Sequence, residues 1–200
     1  MDIERIESVA ETEMACRQDL RFREPGWIFH HGRRTGKIAL HLLDTLDLGV
    51  DRDTVYVAGV FHDIGKGQDN HNEVGAERSR ELLSGRVPAG ALDVICDTVR
   101  SHNQRKKSDS FPDCTKLVQD ADLIDHVGLI DVWMAFYWSG SHGESIHDHV
   151  AWFKGDDCKR FREYMRTHLN FDVSRQILED RIKKSDQFFV EFQRAYFEGI

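Results

Sequence analysis

The sequence predicts an all-α protein, and three observations support that prediction. Apolar residues recur at intervals of three and four along most of the 200-residue chain, as on the buried face of a helix. One segment alone is rich in β-branched residues, and no evident partner strand accompanies it. No repeat, low-complexity tract or linker divides the sequence, so we expect a single-domain irregular helical bundle over residues 1–200.

The first two helices are predicted from apolar stripes that end at helix breakers. A helix over residues 2–21 depends on a stripe formed by Ile3, Ile6, Val9, Ala10 and Met14. Pro25-Gly26 then breaks the chain. Gly49 lies just past the end of the next helix, whose apolar face is formed by Ile38, Leu42, Leu43 and Leu46.

The segment from Asp53 to Asp63 is ambiguous on composition. Its stretch TVYVAGVF has the residues of a buried strand, but it stands among helical patterns, which favours a buried helix. Further stripes predict helices over residues 72–84, 90–102, 115–138, 147–168 and 174–197. In the last of these, FFVEFQRAYF places aromatic residues at helical spacing, which indicates core packing or the contact of a homodimer.

Bulk composition excludes several classes of protein. No apolar run approaches the roughly 20 residues that cross a bilayer, and the start MDIERIESVAETEM lacks the pattern of a signal peptide. We therefore expect a cytoplasmic protein without a membrane partner. The net charge of −8 argues against nucleic-acid binding, which needs clustered Lys and Arg. The cysteines lack metal-binding spacing, so we expect reduced, buried thiols at Cys16, Cys96, Cys114 and Cys158.

An unusual pair, His62-Asp63, ends the buried segment in AGVFHDIGKG. Adjacent helical residues point about 100° apart, so both side chains reach one ion only if the helix ends there and the backbone turns. Gly65 and Gly67 predict such an ending, because glycine tolerates left-handed backbone. On the dipeptide alone, a His–Asp hydrogen bond at a helix end is the alternative interpretation.

Further candidate ligands precede and follow this pair. Upstream, FHHGRRTGKIAL opens a helix with His30-His31. Downstream, LVQDADLIDHVG contains three carboxylates, at Asp120, Asp122 and Asp125. Imidazole nitrogen and carboxylate oxygen together suit a divalent first-row transition metal better than calcium.

Taken in order, these motifs resemble the HD superfamily of metal-dependent phosphohydrolases, in particular its small stand-alone members. HDIGKG resembles the helix-end motif of that superfamily, HNEVGAERSRELL resembles the helix that follows, and VRSHN and VQDADLIDHVG fall in the expected order. The resemblance covers about residues 28–130, and helices at about 147–197 would complete the domain. It implies an HD-type bundle and one divalent metal ion, which could be manganese, magnesium, nickel, cobalt or iron.

The resemblance also implies which side chains hold the metal, namely His31, His62, Asp63 and Asp122. The alternative to His31 is its neighbour His30, which lies on a different face of the helix. His31 is favoured because it shares a helical stripe with Arg34, Ile38 and Leu42 that leads toward the core.

Other polar residues near these motifs receive lesser roles. Asp125, three residues after Asp122 on the same helix face, is a candidate to support the ligands from behind. Asp120 lies on another face and is expected to be exposed or to cap the helix. Three histidines outside the matched region are expected at the surface or as local caps: His142, His147 and His149.

Catalysis of phosphoryl transfer needs positive charge around the phosphate oxygens. Lys66, three residues after Asp63, and Arg34, one turn from His31, are the candidates to supply it. Besides Asp63 and Lys66, two histidines are candidates for catalysis and substrate binding, through contact with phosphate or protonation of a leaving oxygen: His71 and His102. The basic run Arg105-Lys106-Lys107 could attract a polyanionic tail, although a solvated loop is its simpler interpretation.

The resemblance therefore predicts hydrolysis of a phosphate ester or anhydride in a nucleotide or similar small anionic metabolite. The turn IGKG after the His-Asp pair contains no acid, which leaves the general base unassigned and argues against the guanosine-tetraphosphate hydrolase branch. The short spacing from Asp63 to His71 resembles the mononuclear members. Two alternatives remain: a di-iron oxygenase completed by His71 and His102, and a non-catalytic nucleotide-binding module.

Overall fold

The structure is a computed structural model that describes residues 1–15, 17, 24–105 and 110–199. These residues form ten α-helices and a closing π-helical turn, and they contain no strand, so the all-α prediction is confirmed. The chain folds as two compact units, Met1–Asp122 and Leu123–Ile200. A single domain over residues 1–200 stays a prediction.

The helices follow one another with short connections. The first unit contains α1 (Ile3–Met14), α2 (Trp27–Leu46), α3 (Arg52–Phe61), α4 (His71–Leu83), α5 (Ala89–Ser101) and most of α6 (Asp113–Asp125). The second unit contains α7 (Leu129–His142), α8 (Ile146–Lys154), α9 (Asp156–His168), α10 (Asp172–Gln193) and the π-helical turn Arg194–Glu198. Among the described helices, none combines the length and the apolar character that a membrane span requires.

The ambiguous segment is a buried helix, as predicted. α3 begins after Asp51, whose carboxylate accepts hydrogen bonds from the Thr54 backbone N–H at 2.8 Å and the Thr54 hydroxyl at 2.6 Å. Every residue from Thr54 to Phe61 is buried. The β-branched composition therefore reflects a helix that is covered on all sides.

α2 and α3 approach closely because both carry glycine where they touch. A Cβ atom on Gly32 would lie 2.3 Å from the carbonyl oxygen of Val60, and one on Gly59 would lie 2.5 Å from the Cα of Gly36. Only hydrogen fits between these backbones. The close approach sets the beginning of α2 against the end of α3, and these two places carry the predicted metal ligands.

Three predicted helices end elsewhere in the structure. α1 stops at Met14 rather than residue 21; within the predicted range, residues 16 and 18–21 lie outside the described residues. The helix predicted over 115–138 is broken by Gly128, whose φ of 95° is left-handed. The helix predicted over 147–168 is broken by Gly155, whose extended backbone separates α8 from α9. Apolar periodicity does not register the backbone angles of a single glycine, so it joined helices that are separate.

The aromatic C-terminal segment divides between core and surface of the second unit. Phe189 is buried and packs against Phe153, with ring centroids 3.9 Å apart, and against Phe136 at 6.0 Å. Phe188, Tyr196 and Phe197 are exposed. Core packing thus accounts for Phe189, whereas a homodimer stays a prediction.

The described cysteines are free and buried, in agreement with the expected thiols: Cys96, Cys114 and Cys158. Burial raises the pKa of the Cys114 thiol to about 11, so this sulfur is protonated and unreactive at neutral pH. Cys16 lies outside the described residues.

Removing the Asp51 cap is expected to destabilise the protein by about 1 kcal/mol at pH 7, the usual cost of losing such a residue. Hydrogen bonds from the Thr54 side chain and backbone lower the pKa of Asp51 below its ordinary value of 3.8. A carboxyl with a lowered folded-state pKa stabilises above its unfolded pKa and loses that contribution as the pH falls through the folded value. The difference between wild type and Asp51→Ala should therefore be constant above about pH 5 and shrink toward pH 3.

Urea unfolding at pH 7 and at about pH 3 measures the difference in stability between wild type and Asp51→Ala. Asp51→Asn is the matched control, because it retains an oxygen that caps the helix but carries no titrating charge. It should keep most of the stability and reduce the pH dependence. Equal stability of Asp51→Ala and wild type at pH 7 would show that the cap is energetically neutral.

Candidate metal centre

Five buried polar side chains meet inside the first unit. His31 lies on α2, the His62-Asp63 pair immediately follows α3, His102 immediately follows α5, and Asp122 lies on α6. Each is at most 6% exposed. Four helices thus deliver three imidazoles and two carboxylates to one buried location.

The tips of the four predicted ligands lie close to one another. His31 Nε2 lies 3.1 Å from Asp122 Oδ1 and 4.0 Å from Asp63 Oδ2. His62 Nε2 lies 3.6 Å from the same Asp122 oxygen and 3.8 Å from the same Asp63 oxygen. Ligands bound at about 2.1 Å to one ion are themselves separated by about 3 to 4.2 Å. Each of these four nitrogen–oxygen separations therefore fits two ligands of one divalent cation. The ligand atoms of His31, His62 and Asp63 lie within 4.8 Å of one another, and Asp122 forms such a group with His31 and His126.

Two of the histidines are oriented by the same kind of hydrogen bond, from Nδ1 to a backbone carbonyl oxygen. Nδ1 of His62 donates to the Gly59 carbonyl, and Nδ1 of His102 donates to the Val99 carbonyl, both at 2.7 Å. Because a carbonyl oxygen only accepts, Nδ1 carries the proton, and each ring turns the lone pair of Nε2 toward the carboxylates. His62 Nε2 is buried and has no hydrogen-bond partner within 3.5 Å among the described residues. A cation would satisfy this lone pair and the facing oxygens together, so the residues fit a metal.

Both carboxylates are ionised despite their burial. Burial alone would raise the pKa of Asp63, but the neighbouring His62 and His102 rings and the ammonium of Lys66 hold it well below its usual range. Burial likewise opposes ionisation of Asp122, but the neighbouring His31 and His62 rings and the guanidinium of Arg105 hold its pKa well below its usual range. Two charged carboxylates in a dry site are suited to a divalent cation.

Two cationic side chains flank the carboxylates. Lys66 Nζ lies 3.1 Å from Asp63 Oδ2, and its side chain is 42% exposed, so it borders both the site and solvent. Arg105 donates a hydrogen bond to Asp122 Oδ2, whereas His31 and His62 lie beside Oδ1 of the same carboxylate. The pairing of Arg105 with a predicted ligand was not expected from the sequence. Lys106 and Lys107 lie outside the described residues.

The two adjacent histidines of α2 point in different directions. His30 is exposed and its ring lies 5.4 Å from that of Phe29, whereas His31 is buried. The Trp27 ring stacks on His31 at 6.0 Å, and the guanidinium of Arg34 lies over Trp27 at 5.0 Å. His31 therefore faces the cluster, and the Trp27 ring lies between Arg34 and this predicted ligand.

His71 and His102 lie on the other side of Asp63. His102 Nε2 is 3.3 Å from Asp63 Oδ1, and the rings of His71 and His102 are 5.7 Å apart. A ring nitrogen of each histidine and a carboxylate oxygen of Asp63 lie within 4.8 Å of one another. Burial, reinforced by the charge of Lys66, lowers the pKa of His71, so this ring is neutral at pH 7.

The turn after the His-Asp pair uses its two glycines differently. Gly67 has a φ of 89° and is left-handed, as predicted. Gly65 is not left-handed; a Cβ atom there would lie 2.2 Å from the carbonyl oxygen of His71 and 2.7 Å from the backbone nitrogen of Gly75. Gly65 is needed for close packing against the start of α4, which sets His71 beside Asp63.

Two side chains expected at the surface are buried. Asp120 is fully buried, because α6 is covered on nearly all its faces, so the expectation of an exposed or capping residue was wrong. His149 is also buried, with Nδ1 3.1 Å from the Ser139 hydroxyl, whereas His142 and His147 are exposed. Asp125 is buried as well, and its supporting role stays a prediction.

Some contacts around the site could not be found from sequence patterns. The guanidinium of Arg17 donates hydrogen bonds of 2.5 Å to the carbonyl oxygens of Ile64 and Lys66, and so holds the turn that carries Lys66. The side chains of Asn72 and Asn103 bond to each other, and Asn103 reaches His71. These partners are separated by about 30 to 50 residues, and no local spacing relates them.

Comparisons with known proteins give one family match and several structural matches. The sequence profile of the HD domain matches residues 28–126. No curated protein matches the chain significantly. The crystal structure of Bacillus subtilis YpgQ in complex with ADP has a TM-score of 0.66 and 17% identity over 97% of each chain.

Two further solved structures have similar scores. An HD-superfamily hydrolase from Bacillus thuringiensis has a TM-score of 0.68 and 20% identity over 98% of each chain. A predicted HD superfamily hydrolase from an uncultured Thermotogales bacterium has a TM-score of 0.65 and 18% identity, over 97% of this chain and 92% of that one. At these identities the similarity shows a shared fold.

Proposed function

Because this chain is an HD-domain protein, we propose that it is a metal-dependent phosphohydrolase that acts on a nucleotide or similar small phosphorylated metabolite. The observation that carries the proposal is the buried lone pair of His62 Nε2, which faces the carboxylates of Asp63 and Asp122 without a hydrogen-bond donor. The presence of ADP in the YpgQ structure supports a nucleotide as the substrate.

The proposed metal ligands are His31, His62, Asp63 and Asp122. A divalent ion held there would lower the pKa of bound water and polarise a phosphoryl oxygen. Asp63 keeps the ammonium of Lys66 at the border of the site, where its charge can meet the phosphate oxygens as negative charge develops. His71 and His102 lie beside Asp63 and are the candidates to contact the phosphate, whereas protonation of the leaving oxygen by either ring would require its charged imidazolium form.

The test is a metal and substrate screen of the purified protein. Elemental analysis first gives the metal content, and nucleotides are then incubated with manganese, magnesium, nickel or cobalt while phosphate and pyrophosphate release is measured. We expect release that depends on added metal and is stopped by a chelator. If nucleotides raise the melting temperature but no metal supports release, the chain is a non-catalytic nucleotide-binding module.

A second group of ligands supports the alternative of a dinuclear oxygenase. Asp63, His71 and His102 bring their ligand atoms within 4.8 Å of one another, which could hold a second ion next to the first. About two irons per chain, together with consumption of O₂, would favour that activity over hydrolysis. One manganese, nickel or magnesium ion per chain would favour the hydrolase.

Lys66→Ala is expected to lower turnover by about 10²-fold while the metal stays bound, because Lys66 contributes charge to the phosphate and is not a ligand. Metal content and turnover of the variant measure the two effects separately. Lys37→Ala, the same substitution at an exposed position of α2, is the control and should leave both unchanged. Loss of metal from Lys66→Ala would mean that its charge stabilises the ligands instead.

A further inference from the structure

A closed network of side-chain amides connects α5 to His71. Nδ2 of Asn72 donates to the carbonyl oxygen of Arg100 at 2.9 Å and to Oδ1 of Asn103 at 2.6 Å. Nδ2 of Asn103 lies 3.0 Å from Oδ1 of Asn72 and 3.3 Å from Nε2 of His71. Each amide group therefore uses both of its hydrogens within the network.

The backbone carbonyl fixes the direction of every bond in this network. The oxygen of Arg100 only accepts, so the Asn72 atom beside it must be the NH₂ group. That group also donates to Asn103, which makes the facing Asn103 atom its oxygen and leaves the Asn103 NH₂ to face His71. A flipped Asn103 would set its NH₂ against the NH₂ of Asn72. The atom that meets His71 Nε2 is therefore a donor.

A ring nitrogen that accepts a hydrogen bond carries no proton. We propose that Asn103 is a positioning residue that holds His71 in the tautomer with the proton on Nδ1. The lone pair of Nε2 is then occupied by Asn103 and is not offered to a second metal ion. Where His71 meets a substrate, it does so as an N–H donor through Nδ1, a group suited to a phosphate oxygen.

The proposal deepens the function proposed above, and only its statement about phosphate depends on that function. The tautomer is a property of the protein alone. His102 shows the same principle with a different partner, because the Val99 carbonyl sets its proton on Nδ1. The two neighbouring histidines are thus oriented by separate hydrogen bonds.

The test reads the tautomer of His71 directly. Long-range ¹H–¹⁵N spectra of the full-length protein, recorded above the pH at which His71 titrates, distinguish a protonated ring nitrogen from a bare one. The His71 signals are assigned by their absence in His71→Gln. We expect Nδ1 protonated and Nε2 bare in the wild type. A proton on Nε2 in the wild type would overturn the proposal.

Asn103→Asp is the informative substitution, since a carboxylate of the same shape can only accept a hydrogen bond. We expect it to place a proton on Nε2 of His71. Gln104→Glu is the matched control: it makes the same change of charge one residue away, where the side chain bonds to Arg100 and not to His71. It should leave the tautomer unchanged; a shift equal to that of Asn103→Asp would overturn the proposal.

The contribution of Asn103 to the rate of the reaction is measured separately from the tautomer. If the wild type hydrolyses a nucleotide, Asn103→Asp should lower turnover by about tenfold, the effect of one mispaired hydrogen bond. An altered tautomer with unaltered turnover would overturn the role of His71 as a phosphate donor. Absence of hydrolysis in the wild type would contradict the proposed function and leave the tautomer result standing, so the two failures are distinguishable.

Discussion

Asp63→Ala and Asp122→Ala are each expected to abolish metal retention and to lower phosphohydrolase activity by about three orders of magnitude or more. Each substitution removes one of two carboxylates that lie 3.1 to 4.0 Å from the Nε2 atoms of His31 and His62. A bound metal contributes several kcal/mol to the transition state, and each 1.4 kcal/mol is a factor of about ten in rate. Elemental analysis and phosphate release measure the two losses.

Asp97→Ala is the matched control for these variants. Asp97 is 70% exposed on α5 and pairs with Arg100, an interaction worth at most about 1 kcal/mol. Its removal should leave metal content and turnover unchanged, which separates loss of a ligand from loss of any acidic residue. Full metal occupancy in Asp63→Ala or Asp122→Ala would contradict the assignment of the ligands.

Gly32→Ala is expected to destabilise the protein by about 3 kcal/mol, the upper part of the usual range for overpacking. The new methyl group would lie 2.3 Å from the Val60 carbonyl oxygen and 3.1 Å from the Val60 carbonyl carbon. Both are backbone atoms of α3, so relief requires the helices to move apart. That movement would separate His31 from His62, and we expect weaker metal binding in addition.

Gly90→Ala provides the comparison, because Gly90 is also helical but a Cβ there would meet nothing within 4 Å. Alanine favours a helix over glycine by up to about 1 kcal/mol, so this variant should be as stable as the wild type or slightly more stable. Chemical denaturation measures both variants, and titration with manganese measures the binding. A wild-type unfolding midpoint for Gly32→Ala would contradict the close approach of α2 and α3.

Periodicity predicted the helical nature of the chain but joined elements that are separate. The ambiguous stretch around Val57 is a helix whose β-branched residues are buried all round, which composition alone did not establish. Gly128 precedes the start of α7 and Gly155 separates α8 from α9, although the apolar pattern continues across both. The backbone conformation of a single residue therefore determines where two helices separate, and the apolar periodicity of the surrounding segment does not reveal that position.

The candidate ligands could be named from the sequence, but the residues that surround and orient them could not. The proposed ligands are those that the resemblance to the HD superfamily implies for His31, the His-Asp pair and Asp122. The role of Gly65 differs from the predicted one, because its need for glycine comes from the carbonyl of His71 rather than from its own backbone angles. Arg105 and Asn103 received no such role from the sequence, since their partners lie on other parts of the chain.

By itself the sequence determined that the chain is helical, where its apolar faces lie, and which chemical groups are available to a metal. These properties depend on neighbouring residues, whose spacing is visible along the chain. Only the tertiary structure decided that His31 rather than His30 faces the carboxylates, that Asp120 is buried, and which hydrogen-bond partner holds each imidazole. Those outcomes depend on packing between helices far apart in sequence, which is set by backbone approach at glycines and by burial from several sides.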